Sequence, residues 1–431
     1  MTTADQWLAT APAHWTRGRL KNLIAVATNG TWGSDPVEDD TDVRCVRAAD
    51  FDRVTRRADL SKAPLRYVEP SSLRQHLLSN GDLVLEKSGG GEKQPVGMAV
   101  LFTGIDKAVC SNFCARIKPS IDVDPRFLTY VFAAAYGQGL TQAAIKQTTG
   151  IQNLDTGAFF ASRWAYPAAE EQRRIADFLD AETALIDRLL RARQRHIGLV
   201  EERWESSIYQ ELIQSGAPEI ELRRLGVEVT TGPFGTVFSA SEYQEGGIPM
   251  VNPLHIRNGE ITPDFHHAVA PETAARLTRH RLRSGDLIVG RKGDLGRAAL
   301  VQASQDGWVC GSDCIALHPG EGIRSHFLDY VLRSQYIRSQ LLARSLAATM
   351  PSLNEGNLLS LRIPCLTLNE QDSISSRLDL AHDWLVRARH SMRRQVTLLR
   401  ERRQVLITAA VTGQFDVSTA SGRNVTEGVA L

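Results

Sequence analysis

The chain has 431 residues, enough for two or three domains with cores of their own, and its 42% hydrophobic and 23% charged content is that of an ordinary globular protein. A formal charge of +1 excludes a global electrostatic pull toward nucleic acid, so any such binding has to come from local patches. There is no apolar run of about 18 residues, and Met1 to Trp7 lack the basic and apolar regions of a signal peptide, which places the expected location in the cytoplasm and away from any membrane.

Taken in chain order, the first pattern is a turn at Asn80, Gly81 and Asp82 that leads into a strand at Leu83, Val84 and Leu85. A glycine-rich basic turn follows, from Glu86 through Lys87, Ser88, Gly89, Gly90 and Gly91 to Lys93. Glycines let a backbone approach a phosphate, and a neighbouring cation supplies the counter-charge, so Lys87, Ser88, Gly90 and Lys93 are candidate DNA contacts. The competing reading is an ordinary solvated hairpin tip. The order Gly-x-x-x-x-Gly-Lys-Ser/Thr is absent, so this is not a nucleotide loop.

Cys110 and Cys114 bring a C-x-x-x-C element, and no second ligand pair lies nearby in the sequence. The spacing fits a strand with thiols buried on one face better than a zinc site. Asp124 followed by Pro125 reads as an N-cap and first helical residue. Thr148, Thr149, Gln152 and Asn153 then form a polar stretch before the next helix. They are candidates either for DNA contact or for a linker that sets the domain's angle on that helix.

Between Pro167 and Pro218, apolar residues recur at Ile175, Phe178, Leu179, Ile186, Leu189, Ile197, Val200, Trp204, Ile208 and Leu212. This spacing predicts one helix of about 45 residues with a single apolar stripe. Its arginines, Arg188, Arg191, Arg193 and Arg195 among them, read as a solvated face beside the seam.

The patterns then repeat. Gly285, Asp286 and Leu287 answer Gly81, Asp82 and Leu83; Cys310 and Cys314 answer Cys110 and Cys114; Phe327 to Val331 answer Phe127 to Val131; Glu370 and Gln371 answer Glu171 and Gln172. A period of about 200 residues is a duplicated domain, far longer than the 20 to 50 residues of solenoid repeats. The second glycine-rich turn runs from Gly290 to Arg297 and offers Arg291, Lys292 and Arg297 as matched candidate contacts. A helix is expected from Phe327 to about Leu346.

Histidines 255, 266 and 267 have no carboxylate or cysteine at ligand spacing and read as surface or groove residues. Asn252, Pro253 and Leu254 lack the second proline and the aromatic of an amino-methyltransferase motif, and no Gly-x-Ser-x-Gly elbow occurs, so no catalytic constellation emerges. Thr367 with Glu370 forms a capping box for a second long helix; Ile374, Leu378, Leu385, Met392, Leu399 and Leu406 mark its stripe and Gly413 its stop. Because a whole domain folds between the two helices, the chain can leave and re-enter at one end, which makes the pair antiparallel.

The expected fold class is therefore α+β, with two similar domains separated by two long helices that form an antiparallel coiled coil, and an internal pseudo-twofold repeat. The expected boundaries are 1–166 for the first domain, 167–214 for the first helix, 215–363 for the second domain, 364–414 for the second helix and 415–431 for a flexible tail. Two modules on stiff rods suit a ligand with two separated recognition points, and duplex DNA is the commonest.

This order of elements resembles the specificity subunit of type I restriction-modification systems. The residues that carry the resemblance are Tyr166, Pro167, Glu171, Gln172 and Ile175, repeated as Ile363, Pro364, Glu370, Gln371 and Ile374, supported by the Gly-Asp-Leu strands and by Trp15 with Leu20. It covers nearly the whole chain; the second junction departs from it, with Met350, Pro351, Ser352 and Leu353 in place of Thr149, Gly150, Ile151 and Gln152. What it implies is a non-catalytic subunit whose two target recognition domains each read half of a bipartite, asymmetric sequence in double-stranded DNA. Two methyltransferase subunits would dock on the helices, and restriction translocase subunits would join them. No cofactor is implied on this chain; S-adenosylmethionine, ATP and Mg belong to those partners. The rival reading is a two-module interaction scaffold that does not bind DNA.

Overall fold

The computed structural model describes residues 3–419 other than 40, 92–93, 105, 149–150, 214–215, 236, 258, 263, 293–295 and 346–352. The chain divides into two compact units, Met1–Gln194 with Arg393–Leu431, and Arg195–Met392. Each unit is α+β, and each holds one end of both long helices.

The two helices span Ala169–Ile213, 45 residues, and Leu368–Val411, 44 residues. The second starts at the capping box, where Glu370 accepts the Thr367 N–H at 2.8 Å and the Thr367 hydroxyl faces the Glu370 N–H at 3.4 Å. It stops where Gly413 turns to φ +73°. In the first unit, Asp187 accepts from Arg403 at 3.1 Å and Phe178 packs 5.6 Å from Phe415. In the second, Glu211 accepts from Arg377 at 3.1 Å and the Trp204 ring lies 5.2 Å from His382. In each unit the partner number falls as the first helix advances, so the pairing is antiparallel. Ile175, Leu179, Ile186, Ile208 and Leu212 of the expected stripe are buried, whereas Leu189 is exposed and Leu190 is buried in its place. Residues 420–431 of the expected tail lie outside the described residues.

The sheets repeat. In the first unit, strand Cys114–Pro119 runs antiparallel between Ile24–Asn29 and Leu83–Glu86, and Ala108–Cys110 pairs parallel with Val43–Val46. In the second, Cys314–His318 runs between Glu228–Thr231 and Leu287–Gly290, and Val309–Cys310 pairs parallel with Ile248–Val251. A glycine is required at the same place in each. A Cβ on Gly30 would lie 2.1 Å from the Ser111 carbonyl oxygen, and one on Gly232 would lie 1.8 Å from that of Gly311.

The recurring sequence elements now have physical reasons. Gly81 and Gly285 hold φ of +93° and +92°. The aspartate that follows each is buried and ties the turn down: Asp82 accepts the Ser79 N–H and the Arg116 Nε at 2.7 Å each, and Asp286 accepts the Arg283 N–H at 2.7 Å, with the His318 ring nitrogen lying 2.9 Å from its other oxygen. Gln172 and Gln371 are 2% and 1% exposed. The Gln172 carboxamide accepts the Asp124 N–H at 3.1 Å and donates to the Pro167 carbonyl at 2.9 Å. That of Gln371 accepts the Arg324 N–H at 2.8 Å and donates to the Leu366 and Gly322 carbonyls. Asp124 and Arg324 are the N-caps of the domain helices Pro125–Gly137 and Ser325–Arg333. Each glutamine therefore locks the start of a long helix to the start of a domain helix.

The second domain helix does not continue as one piece to Leu346. It stops at Ser334, where ψ is 149°, and a new helix spans Gln335–Ser345. The break is capped, since the Ser334 hydroxyl donates to the Val331 carbonyl and accepts the Ile337 N–H at 3.3 Å. The domain cores close over the paired helices. Leu83, Phe127 and Phe132 cluster with Ile175, Leu179, Leu406 and Ile407 in one unit; Leu287, Phe327 and Leu328 cluster with Ile208, Leu212, Ile374 and Leu378 in the other.

Candidate nucleic-acid interface

The two stretches singled out in the first domain lie far apart in sequence and meet in the fold. Ser88–Gly89 is the edge of a three-stranded sheet with Ile151–Leu154 and Ile145–Thr148, in which Asn153 faces Ser88 and Gln152 faces Gly89. The Ser88 hydroxyl donates to the Asn153 side chain at 2.6 Å. Gln152 is buried and accepts the Val96 N–H at 3.2 Å, which braces the turn from beneath. Asn153 is exposed, Lys87 and Ser88 are half-buried, and Gly90 is exposed at φ +59°. Thr148 contributes its backbone to this sheet; Lys93 and Thr149 lie outside the described residues.

The second domain builds the same backbone frame. Leu154 N–H donates to the Lys87 carbonyl at 2.8 Å, and Leu353 N–H donates to the Arg291 carbonyl at 2.9 Å; Lys87 and Arg291 donate in turn to Phe113 and Asp313. The side chains on that frame differ. The Arg291 Nε donates to the Leu353 carbonyl at 3.0 Å, Lys292 is exposed and pairs with Asp313 at 2.8 Å, and Arg297 reaches the Pro253 carbonyl at 3.4 Å. The scaffold is thus copied and the decoration is not.

In the first unit, an open cleft of about 880 Å³ adjoins the glycine-rich turn, lined by Gly90, Gly91, Gln94, Ala48, Phe51, Arg53 and Glu86. Glu86 is 4% exposed, and burial pushes its carboxyl above the usual range, with Arg53 opposing. Sequence reading had no signal for Arg53, which stands in no motif, and it placed Glu86 at the start of the glycine-rich turn without marking it as a contact, because the cleft forms only when separate strands come together.

The histidine group is corrected by the structure. His255 is buried, and Asp264 brings a carboxylate to it and to His267, at 3.3 Å and 2.6 Å. The three groups lie within 4.8 Å of one another. Yet His255 Nδ1 accepts the Asn252 N–H at 3.1 Å, so the neutral ring carries its proton on Nε2, facing Asp264, and keeps no lone pair for a metal. In the first domain, Asp50 does the same work by accepting the Arg47 N–H at 2.9 Å. His255 therefore braces a turn. The four cysteines of the C-x-x-x-C elements are buried in the apolar cores, and burial pushes the Cys114 and Cys310 thiols up to about 12.

No curated protein matches the chain. Residues 232–383 match the family model of the type I restriction modification DNA specificity domain. The fold is similar to that of a chain in a solved structure described as the structural basis underlying complex assembly and conformational transition of the type I R-M system. The two share 18% identity and a TM-score of 0.73, over 94% of this chain and 99% of that one. It is also similar to the HsdS subunit from Thermoanaerobacter tengcongensis, at 17% identity and a TM-score of 0.51, over 94% of this chain and 98% of that one. Residues 232–383 are thus similar to the DNA specificity domain of type I restriction-modification systems, and the chain has the fold of solved chains from such systems.

Proposed function

We propose that the chain is the non-catalytic DNA reader of a type I restriction-modification complex, with each domain recognising one half of a bipartite, asymmetric duplex target. The observation that carries this reading is one backbone frame built twice, around Lys87 and Leu154 and around Arg291 and Leu353, with different side chains on each copy. Lys87, Ser88, Gly90, Thr148 and Asn153 in the first domain, and Arg291, Lys292 and Arg297 in the second, are the proposed contacts, with phosphate neutralisation fixing register and base edges supplying sequence. Lys93 and Thr149 belong to the same proposed set.

The long helices set the unread gap between half-sites and carry the partners. Leu380 is 73% and Trp384 53% exposed on the second helix, and large apolar side chains grouped in the open mark a protein-binding surface. Two methyltransferase subunits docking there would bring S-adenosylmethionine, and restriction translocase subunits would bring ATP and Mg, all in the cytoplasm. Among the described residues, no helix is long and apolar enough to cross a membrane.

The test is fluorescence anisotropy of the full chain on a motif selected from randomised duplexes, measured across a salt series. The reading predicts a split motif and a steep fall of affinity with salt. Binding that ignores both sequence and salt, or no binding at all, would leave a protein-interaction scaffold as the better account.

A further inference from the structure

Glu86 and Arg53 line the cleft beside the first glycine-rich turn as a loose ion pair that leaves a Glu86 oxygen without a hydrogen bond. The Glu86 side chain is 5% exposed, its Oε2 has no hydrogen-bond partner, and the nearest cation, Arg53 Nη2, stands 3.9 Å away. That is too long for a hydrogen bond. The second tip of the fork, Arg53 Nη1, donates to the Met98 sulfur at 3.4 Å, so the carboxylate contact of this arginine is the loose ion pair to Glu86. A buried carboxylate kept for structure is normally satisfied, and this one is not. Nor does the scaffold require it: Glu86 pairs with Cys114 in the strand ladder, and at the matching place in the second domain Gly290 pairs with Cys314. The rim is open, since a Cβ on Gly91 would meet nothing within 4 Å.

We propose that Arg53 and Glu86 together read one G·C base pair in the half-site of the first domain. This rests on the DNA-reading function proposed above. In the major groove, guanine offers the acceptors O6 and N7 to an arginine fork, and the paired cytosine offers the donor N4 to a carboxylate. A donor fork and an acceptor oxygen 3.9 Å apart in one cleft match the two halves of that pattern. An A·T pair fits less well, because adenine places its donor beside its acceptor and thymine adds only an acceptor and a methyl group. Gly290 has no side chain to do the same, so the second domain reads its half differently.

The experiment is selection from randomised duplexes by the full chain and by the Glu86→Gln and Arg53→Lys variants, with each motif measured by competition. Discrimination at one G·C pair in one half-site is expected to fall roughly tenfold to a hundredfold in both variants. The other half-site and the gap stay unchanged. Glu86→Gln keeps the shape and removes a buried, loosely paired charge, so its melting temperature should not fall; if it does, Arg53→Lys decides alone. A wild-type motif that both variants reproduce at every position overturns the inference and leaves the proposed function standing. A wild-type chain that selects no sequence overturns the proposed function itself.

Discussion

Replacing Gln371 by alanine removes three hydrogen bonds at the joint between the second long helix and its domain: the Arg324 N–H, and the Leu366 and Gly322 carbonyls. Each bond is worth about 1 kcal/mol net, and a buried group left without a partner costs about 1–3 kcal/mol. Because all three bonds are partly buried, water can enter and repair some of the loss, so the expected cost is about 2–4 kcal/mol. In a unit of about 200 residues this lowers Tm by roughly 5–15 °C. Gln172→Ala loses two such bonds and should cost less, in the other unit. Gln371→Glu gives a sharper test, since at neutral pH it points a carboxylate at two carbonyls. It should be at least as destabilising as alanine and recover as the pH is lowered and the acid protonates. Urea unfolding followed by far-ultraviolet circular dichroism and tryptophan fluorescence would measure all three. A loss below about 0.5 kcal/mol for Gln371→Ala would refute the idea that this glutamine locks helix to domain.

Three further outcomes are expected. Gly30→Ala and Gly232→Ala place a Cβ 2.1 Å and 1.8 Å from a backbone oxygen; each strand pair must open, and a stability loss of several kcal/mol in the affected unit should appear in thermal melts, at about the upper end of single substitutions. Burial holds His255 below its ordinary 6.5, so the unfolded chain takes up the proton first as the pH falls. The stability this ring contributes is complete above about pH 6.5 and is lost below it. The stability gap between the wild type and His255→Asn should therefore narrow from pH 7.5 to 5.5, and a constant gap would count against the neutral, turn-bracing ring. Lys87→Ala and Lys292→Ala should each reduce the slope of log affinity against log salt by about 1 while leaving base preference unchanged.

The long helices were legible because helical periodicity over so many residues has no other source, and their ends carried written signals at Thr367, Glu370 and Gly413. The duplication was legible where the two copies of the scaffold need the same residue, as in Gly-Asp-Leu and Glu-Gln. What those motifs do was not: Asp82 and Gln371 act on backbone groups supplied by other segments, which no local pattern announces. The same holds for Asp50 and His255, two chemically different side chains that accept the same backbone N–H in two copies of one turn. The candidate contacts were found one stretch at a time. That Ser88 meets Asn153, and that Gln152 turns inward, are facts of the sheet and not of the sequence around them. Ser334 broke an expected helix because a serine that can cap is silent until the backbone turns at it.

The most direct test of the central claim, that two readers are spaced by their own helices, is to lengthen both. Four residues inserted after Gly198 and four after His390, each chosen to preserve helical periodicity, extend each rod by about 6 Å, between one and two base-pair rises of duplex DNA. The account predicts that the selected motif keeps both half-sites and gains one or two unread base pairs between them. An unchanged gap in a folded, DNA-binding variant would contradict it.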